Sequence, residues 1–458
     1  QDPSEGQPPA DESSTAAKPV PGSSSGSGTP LKQSHDGESA GPADPVSSAD
    51  TIGSGRFGQW GGHLKLRGSV SWMPDDSIFQ PVGTGAYGDG YGELRIKNHL
   101  YFGSWGEFET HYVLAAAGGD TWTKSRELSD GGVSWPGWNA GRPPSDKRQL
   151  LDLTWVITDN DRGAAYQRLD RLCLTLKPGW GTVRIGRQAV SWGNGMVFNP
   201  MDVFNPFAPT DFERDYKVGE DMVSMEIPLG GGGSLQSLAV PRRDPASGGI
   251  RADQSSVAGK WHFARGTTEF DVLAAAHYGE PVLGGGAVGY AGGAAWRVNV
   301  TWTRVDDSPR LDGFWSAVAN MDYSWTWGGR NTYGFVEAYY NGLGGPPYDE
   351  ALADPALVDR LRRGELYTIG RMYLAGGLQV EAHPLCNLYF SVIVNADDPS
   401  AVFQPRVVWD AAPNVQLPAG ANLYAGATGS EFGGIEVAGS NLPFRYPANV
   451  YLWLSRFF

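Results

Sequence analysis

The sequence predicts an all-β fold: a transmembrane, antiparallel, up-and-down β-barrel of about 16 strands, with about 18 as the alternative count. Three observations carry this. Polar and apolar residues alternate from Trp60 onward over about 400 residues. The alternating stretches reach about 10 to 14 residues, whereas strands of globular proteins usually have about five or six. Aromatic residues gather near the ends of these stretches, at Trp72, Tyr101, Phe102, Trp105, Trp325, Trp327, Tyr339 and Tyr340, as girdles at two lipid interfaces require.

Composition permits this reading. The 458 residues exceed one ordinary soluble domain unless they form a single closed sheet. No run of about 18 apolar residues occurs, so no helix of the chain spans a bilayer, whereas barrel strands cross with alternating segments of soluble-looking hydropathy. A net charge of −14 argues against nucleic acid as a partner. Cys173 and Cys386 are the only cysteines, and whether they pair is open. No C-x-x-C-H occurs, so the chain attaches no c-type haem itself, and a cysteine-rich zinc site is ruled out.

Residues 1 to about 55 are rich in Ser, Gly, Pro, Asp and Glu. Such a segment buries too little apolar area to offset its ordering entropy, so a disordered tail or linker is expected, with the barrel over 56–458. The start at Gln1 fits an exported chain whose signal peptide has been removed and equally fits a cytosolic one.

The strands follow in order. In "HLKLRGSVSW", Leu64, Leu66, Val70 and Trp72 share one face, and Lys65, Arg67, Ser69 and Ser71 the other. In "GELRIKNHLYF", Leu94, Ile96, Leu100 and Phe102 oppose Glu93, Arg95, Lys97 and His99. Further candidates carry Leu151/Leu153/Trp155/Ile157, Leu172/Leu174/Leu176 against Arg171/Cys173/Thr175, Val223/Met225/Ile227, Trp296/Val298/Val300/Trp302 against Arg297/Asn299/Thr301/Thr303, and Leu388/Phe390/Val392/Val394. "DEALADPALVDRLRRGE" alone has useful helical periodicity. Long and short connections alternate, with short turns at "GSWGE", "DNDRG" and "HPL", but the parity fails between about 178 and 290.

Two segments carry a resemblance. "NVYLWLSRFF" places Val450, Leu452, Leu454 and Phe458 on one face and Tyr451, Trp453 and Phe457 on the other. It resembles the last strand of bacterial outer-membrane barrels, whose terminal Phe, here Phe458, is read by the barrel-assembly machinery; Arg456 departs mildly from that pattern. "VRIGRQAVSWGNGMVFNPMDVFNP", with Gly186–Gly193 as its core, resembles a Gly-Arg-Gln-x-x-x-Trp-Gly segment of porin-like proteobacterial barrels. The resemblance covers about 25 residues and the closing strand, so it implies a class and no substrate. It implies a Gram-negative outer membrane as the location, with the tail in the periplasm.

Inside such a barrel the polar faces point at the lumen. Lys65, Arg67, Glu93, Arg95, Lys97, His99, Glu107, Glu109, His111 and Arg184 are the pore-lining candidates. A mixed-charge wall tunes solute passage, and the same side chains pairing with one another would stiffen it. His99 and His111 with Glu109 are the one set that offers a catalytic group or a metal site, but the wall already accounts for them. No metal, cofactor or catalytic residue is therefore expected, and G-x-S-x-G and H-E-x-x-H are absent.

Beyond Gly186, Asn199-Pro200 and Asn205-Pro206 stop a strand. Met196, Phe198, Val203 and Phe204 would be costly to leave in water. The insert 187–220 is expected to fold toward the lumen, with Trp192, Met196, Phe198 and Phe204 as constriction candidates beside Asp211, Glu213, Arg214 and Asp215; Lys217, Glu220 and Asp221 extend that charged mouth. A stabilised cap outside the membrane is the competing reading. The function expected is passive passage of small solutes or ions through a porin-like channel. The alternative is a sheath insulating a multihaem cytochrome partner, as in porin–cytochrome conduits, which would need the lumen free. A surface-binding role for the long loops names no ligand.

Overall fold

In a computed structural model, residues 54–55, 58–132, 141–210, 216–437 and 441–458 are described; the expected tail and Asp211, Glu213, Arg214 and Asp215 lie outside them. The described residues form a closed ring of eighteen antiparallel strands. In chain order these are β1 (Gly58–Met73), β2 (Gly85–Tyr101), β3 (Gly106–Gly119), β4 (Gly163–Leu176), β5 (Thr182–Gln188), β6 (Glu220–Pro228), β7 (Ser234–Val240), β8 (Ser256–Arg265) and β9 (Thr268–His277). They continue as β10 (Glu280–Ala291), β11 (Ala294–Arg304), β12 (Gly313–Trp327), β13 (Arg330–Asn341), β14 (Met372–His383), β15 (Cys386–Asn395), β16 (Ser400–Ala412), β17 (Val415–Ala425) and β18 (Ala448–Phe457). Each pairs with the next, and β18 closes on β1, with Leu64 opposite Arg456 and Trp72 opposite Ala448. Beyond that pair, Phe458 and Gly62 exchange backbone hydrogen bonds of 3.0 and 2.9 Å. Closure removes the unpaired edges that an open sheet would present.

Alternation decides which way each side chain points. On β11, Arg297, Asn299, Thr301 and Thr303 are buried inward, while Val298 is exposed outward. Leu64, Leu66, Val272, Val336, Leu374, Leu452 and Leu454 likewise face out. Exposed Trp60, Trp105, Trp180, Tyr290 and Trp327 lie toward one rim, and Trp72, Trp315 and Tyr340 toward the other. Tyr101 and Tyr339 do not join these belts. Tyr101 turns inward, its hydroxyl donating to Gln59 Oε1 at 3.2 Å, and Tyr339 is buried.

Connections sort cleanly by rim. Segments 102–105, 177–181, 229–233, 266–267, 292–293, 328–329, 384–385 and 413–414 form a turn rim that also holds the start of β1 and the end of β18. Segments 74–84, 120–162, 189–219, 241–255, 305–312, 342–371, 396–399 and 426–447 join strands at the loop rim. Two features hide this parity in the sequence. Thr154–Asn160 is a short flanking strand that pairs only with the loop-rim half of β4, so "DNDRG" turns at the loop rim. The β9–β10 hairpin at Tyr278-Gly279 is also on the loop rim, yet as short as a turn. Strands β5, β6 and β7 are short as well, with 7, 9 and 7 residues.

The helical stretch is real. Helix α1 (Asp120–Asp130) follows β3, and α2 (Tyr348–Leu352) and α3 (Pro355–Arg363) occupy the loop after β13. Asp354 caps α3, accepting the Ala356 N–H at 3.0 Å. Pro355 opens the helix, Gly364 ends it with φ of 72°, and Arg360, Arg362 and Arg363 fill its last turn. Each suits its position for a capping or helix-dipole reason.

Candidate functional site

All ten pore-lining candidates turn inward, from β1, β2, β3 and β5. On β1 and β2, alternation alone stacks Lys65, Arg67, Glu93, Arg95, Lys97 and His99 on one face. Their acids are engaged. Glu93 Oε1 lies 2.9 Å from His63 Nε2 and 3.3 Å from Arg95 Nε. Arg95 Nη1 donates to Asp170 Oδ2 at 2.9 Å, and so does Arg171 Nη1. On β3, Glu109 pairs with Arg184 of β5 at 3.3 Å, and Glu107 with His99 Nδ1 at 2.9 Å. Wall charge and internal pairing therefore coexist.

Asp170 reaches this network through a β-bulge that sequence reading missed. His111 pairs with Arg171 and Tyr112 with Leu169, which leaves Asp170 as the extra residue. Both Asp170 and Arg171 then point into the lumen, as a bulge re-aims side chains. The signal was present: outward Leu169 and Leu172 are three apart, an odd spacing that slips the period of two.

The insert starts at an uncommon backbone step. Gly186 has φ of 124°, and a Cβ there would lie 2.1 Å from the Leu172 carbonyl oxygen, so only glycine fits. Arg187 and Gln188 still belong to β5, and Glu220 and Asp221 to β6, so the non-strand segment is 189–219. Arg187, fully buried, donates through Nε to Asp221 Oδ1 at 2.9 Å, through Nη1 to Asp146 Oδ2 at 2.7 Å, and through Nη2 to the Leu151 carbonyl at 2.7 Å. One guanidinium thus joins both flanking strands to the loop that covers them.

From this root the segment follows the inner wall. Trp192 Nε1 donates to Gln236 Oε1 of β7 at 2.7 Å. The Asn194 N–H donates to Asn299 Oδ1 of β11 at 2.7 Å, and Asn320 of β12 donates back to the Asn194 carbonyl at 3.1 Å. Glu337 of β13 then accepts three successive backbone N–H groups: Met196 at 2.7 Å, Val197 at 3.0 Å and Phe198 at 2.7 Å. Phe198 stacks on Tyr339, with ring centroids 4.4 Å apart and 5° between planes.

The chain turns at Asn199, and Phe204 packs edge-on against Trp192 at 5.8 Å and His277 at 5.3 Å. Asn205 takes a left-handed φ of 52°, which asparagine tolerates, and its Nδ2 donates to Glu220 at 2.8 Å. Gln404 of β16 holds the Thr210 carbonyl at 2.9 Å. The segment reappears at Tyr216, whose ring lies 4.3 Å from the Arg95 guanidinium, 4.6 Å from Lys97 Nζ and 5.7 Å from the His63 ring. Lys217 closes the loop on Asp202 and the Val190 carbonyl.

Trp192, Met196, Phe198 and Phe204 therefore all contact inward-facing wall residues. Lys217, Glu220 and Asp221 are buried braces rather than a solvated mouth, because each meets a partner: Asp202, Arg242 at 3.2 Å and Arg187 respectively. The insert enters from the loop rim and lines the arc from β7 to β16. Against the opposite arc, β1 to β4, it leaves a cavity of about 1510 Å³. Lys65, Arg67, Glu93, Arg95, Arg168, Asp170 and Tyr216 line it, with Arg142, Asp146, Lys147 and Asp152 from the overlying loop.

A second loop meets the lumen near the loop rim. Glu431 accepts the Ile369 N–H at 2.8 Å, Asn395 Nδ2 at 2.7 Å and the Tyr373 hydroxyl. Burial pushes its carboxyl up to about 7, against those hydrogen bonds, which favour the ionised form. Cys173 and Cys386 are free thiols, on β4 and β15.

No protein-family model and no curated protein matches the chain. Solved structures do. OccAB1 of Acinetobacter baumannii aligns over 90% of this chain and 99% of its own at 10% identity, with a TM-score of 0.50. A BenF-like porin from Pseudomonas fluorescens Pf-5 aligns over 88% and 99% at 9% identity, TM-score 0.48. OccK5 of Pseudomonas aeruginosa aligns over 87% and 98% at 8% identity, TM-score 0.49. At such identities the likeness is one of fold.

Proposed function

We propose that the chain is a porin-like channel of a Gram-negative outer membrane, passing small solutes passively, with segment 189–219 setting the width of the path. The observation that carries this is the ladder of contacts from Gln236 through Asn299, Asn320 and Glu337 to Gln404, which fastens an apolar segment to a polar inner wall. A closed ring with an apolar exterior and two aromatic belts suits lipid, where every backbone polar group must be satisfied internally. Solved porins of similar fold add to this reading.

The free side of the lumen carries both signs of charge, with eight Arg and Lys side chains and seven Asp and Glu side chains along it. Glu93 and Asp170 each engage more than one partner, whereas each arginine has five N–H donors to offer. Lys65 and Arg67 also lie over the rings of Trp453 and Tyr451 at 6.0 and 5.6 Å. This mixed lining suits small polar solutes or ions. In this orientation the turn rim and the N-terminal tail face the periplasm, and Phe458 serves assembly into the membrane. A sheath around a multihaem cytochrome would need the arc that segment 189–219 fills, so the channel reading is preferred.

The test is a planar-bilayer recording of the purified barrel under a salt gradient. A steady current through the open barrel supports the proposal. A barrel that stays sealed at all voltages overturns it.

A further inference from the structure

We infer that the turn-rim end of the lumen binds one divalent transition-metal ion, of the borderline class of Zn²⁺, Co²⁺ and Ni²⁺, on His99, Glu109 and His111. The three residues come from adjacent strands, with His99 directly opposite Glu109 across β2 and β3, and His111 one inward position further along β3. One ligand atom from each lies within 4.8 Å of the others, and all three residues are buried. His111 Nε2 is 3.2 Å from Glu109 Oε1, and the two imidazole rings are 5.8 Å apart at 65°. Small side-chain rotations bring such a set to metal-bonding distance; two imidazoles and a carboxylate, with a position left for water, are a ligand set for such ions.

The neighbours are arranged as supports for those ligands. His99 Nδ1 lies 2.9 Å from Glu107 Oε1. That contact places the Nδ1 proton toward the carboxylate and leaves Nε2 as a lone-pair donor, the carboxylate–histidine–metal arrangement that orients a ligand. Arg184 Nη2 donates to Glu109 Oε2 at 3.3 Å, leaving Oε1 on the side of His111. Glu107 also meets half-exposed Lys177 at 3.6 Å, so the cluster lies one step in from the rim and within reach of solvent. Lys97 and Arg171, opposite His111 on β2 and β4, bound the site on the cationic side. They oppose tight retention, so the ion exchanges with solvent rather than being locked in.

The wall reading of these residues needs no metal, and this inference does not depend on whether the barrel conducts. The test is Co²⁺ titration of the full-length, untagged barrel in detergent, read by visible absorption and by equilibrium dialysis. Saturable binding of one Co²⁺ per barrel, displaced by Zn²⁺, is expected. The double variant His99→Ala/His111→Ala should lose it while keeping the heat-modifiable gel mobility of a folded barrel. Glu107→Gln, which alters only the support, should keep the stoichiometry and weaken binding by about 10- to 100-fold. No saturable Co²⁺ on the wild-type barrel, or equal binding by the folded double variant, would overturn the inference.

Discussion

The backbone N–H of Phe198 donates to Glu337 Oε1 at 2.7 Å, and the Phe198 ring lies flat on Tyr339, two residues along the same strand. Strand β13 thus grips the tip of the insert twice, with a carboxylate and with an aromatic face. Glu337 is buried, and its other contacts are the N–H groups of Met196 and Val197 and the Asn320 side chain. Such a carboxylate can hold several amide donors that would otherwise be stranded away from water.

Replacing Glu337 by Ala should release this tip. Three backbone N–H groups lose their acceptor, at about 1–3 kcal/mol each, while the ring of strands remains. The expected outcome is a folded barrel whose single-channel current is larger and noisier than that of the wild type. A current trace indistinguishable from wild type would show that the grip has no bearing on the path.

The root should respond differently. Arg187→Met leaves Asp146 and Asp221 buried without their guanidinium, a loss of about 3–5 kcal/mol for a broken buried pair. It should appear as a lower temperature for the heat-modifiable shift on gels, and the loop carrying Asp146 should become cleavable by protease. Unchanged thermal and proteolytic profiles would mean that the brace is redundant.

Charge reversal on the open wall tests cargo preference. Lys65→Glu with Arg67→Glu converts two cations of the cavity lining into anions. The reversal potential under a salt gradient should move toward cation selectivity, more so at low ionic strength because screening is weaker there. An unmoved reversal potential would place the selective step elsewhere.

Glu431 makes the loop 426–447 sensitive to pH. Its carboxyl is held near 7 by burial, above the ordinary value near 4.5. The protonated form is therefore favoured in the folded loop. The associated stability is complete below the ordinary value and is lost as pH rises through about 7, amounting to about 3 kcal/mol. Hydrogen exchange at the Ile369 amide should accelerate between pH 5.5 and 8 beyond its intrinsic rate, and Glu431→Gln should remove that excess. An exchange profile following the intrinsic rate alone would contradict this.

Much of the barrel was legible because lipid and lumen impose opposite demands on neighbouring residues. Val298 and Arg297 could not exchange places, so the period of two survives without an alignment. The wall from Lys65 to Arg184 followed from the same rule. What stayed hidden depends on residues distant in sequence. The strand at 154–160 alternates like any other, and nothing local says that it pairs with only half of β4. Tyr339 reads as a girdle aromatic until Phe198 is seen against it. Glu337 in "GFVEAYY" is one inward polar residue among many, and its role appears only once the insert is folded beside it. The bulge at Asp170 was readable from the slipped spacing of Leu169 and Leu172, had the phase been followed across it.

If segment 189–219 narrows the path, deleting residues 193–217 should widen it. The deletion removes the contacts to Asn299, Glu337 and Gln404 while leaving β5 and β6 intact. Single-channel conductance of the folded deletion variant should rise several-fold, and larger uncharged solutes should enter swelling proteoliposomes. Conductance equal to that of the full-length barrel would show that the segment does not set the width of the path.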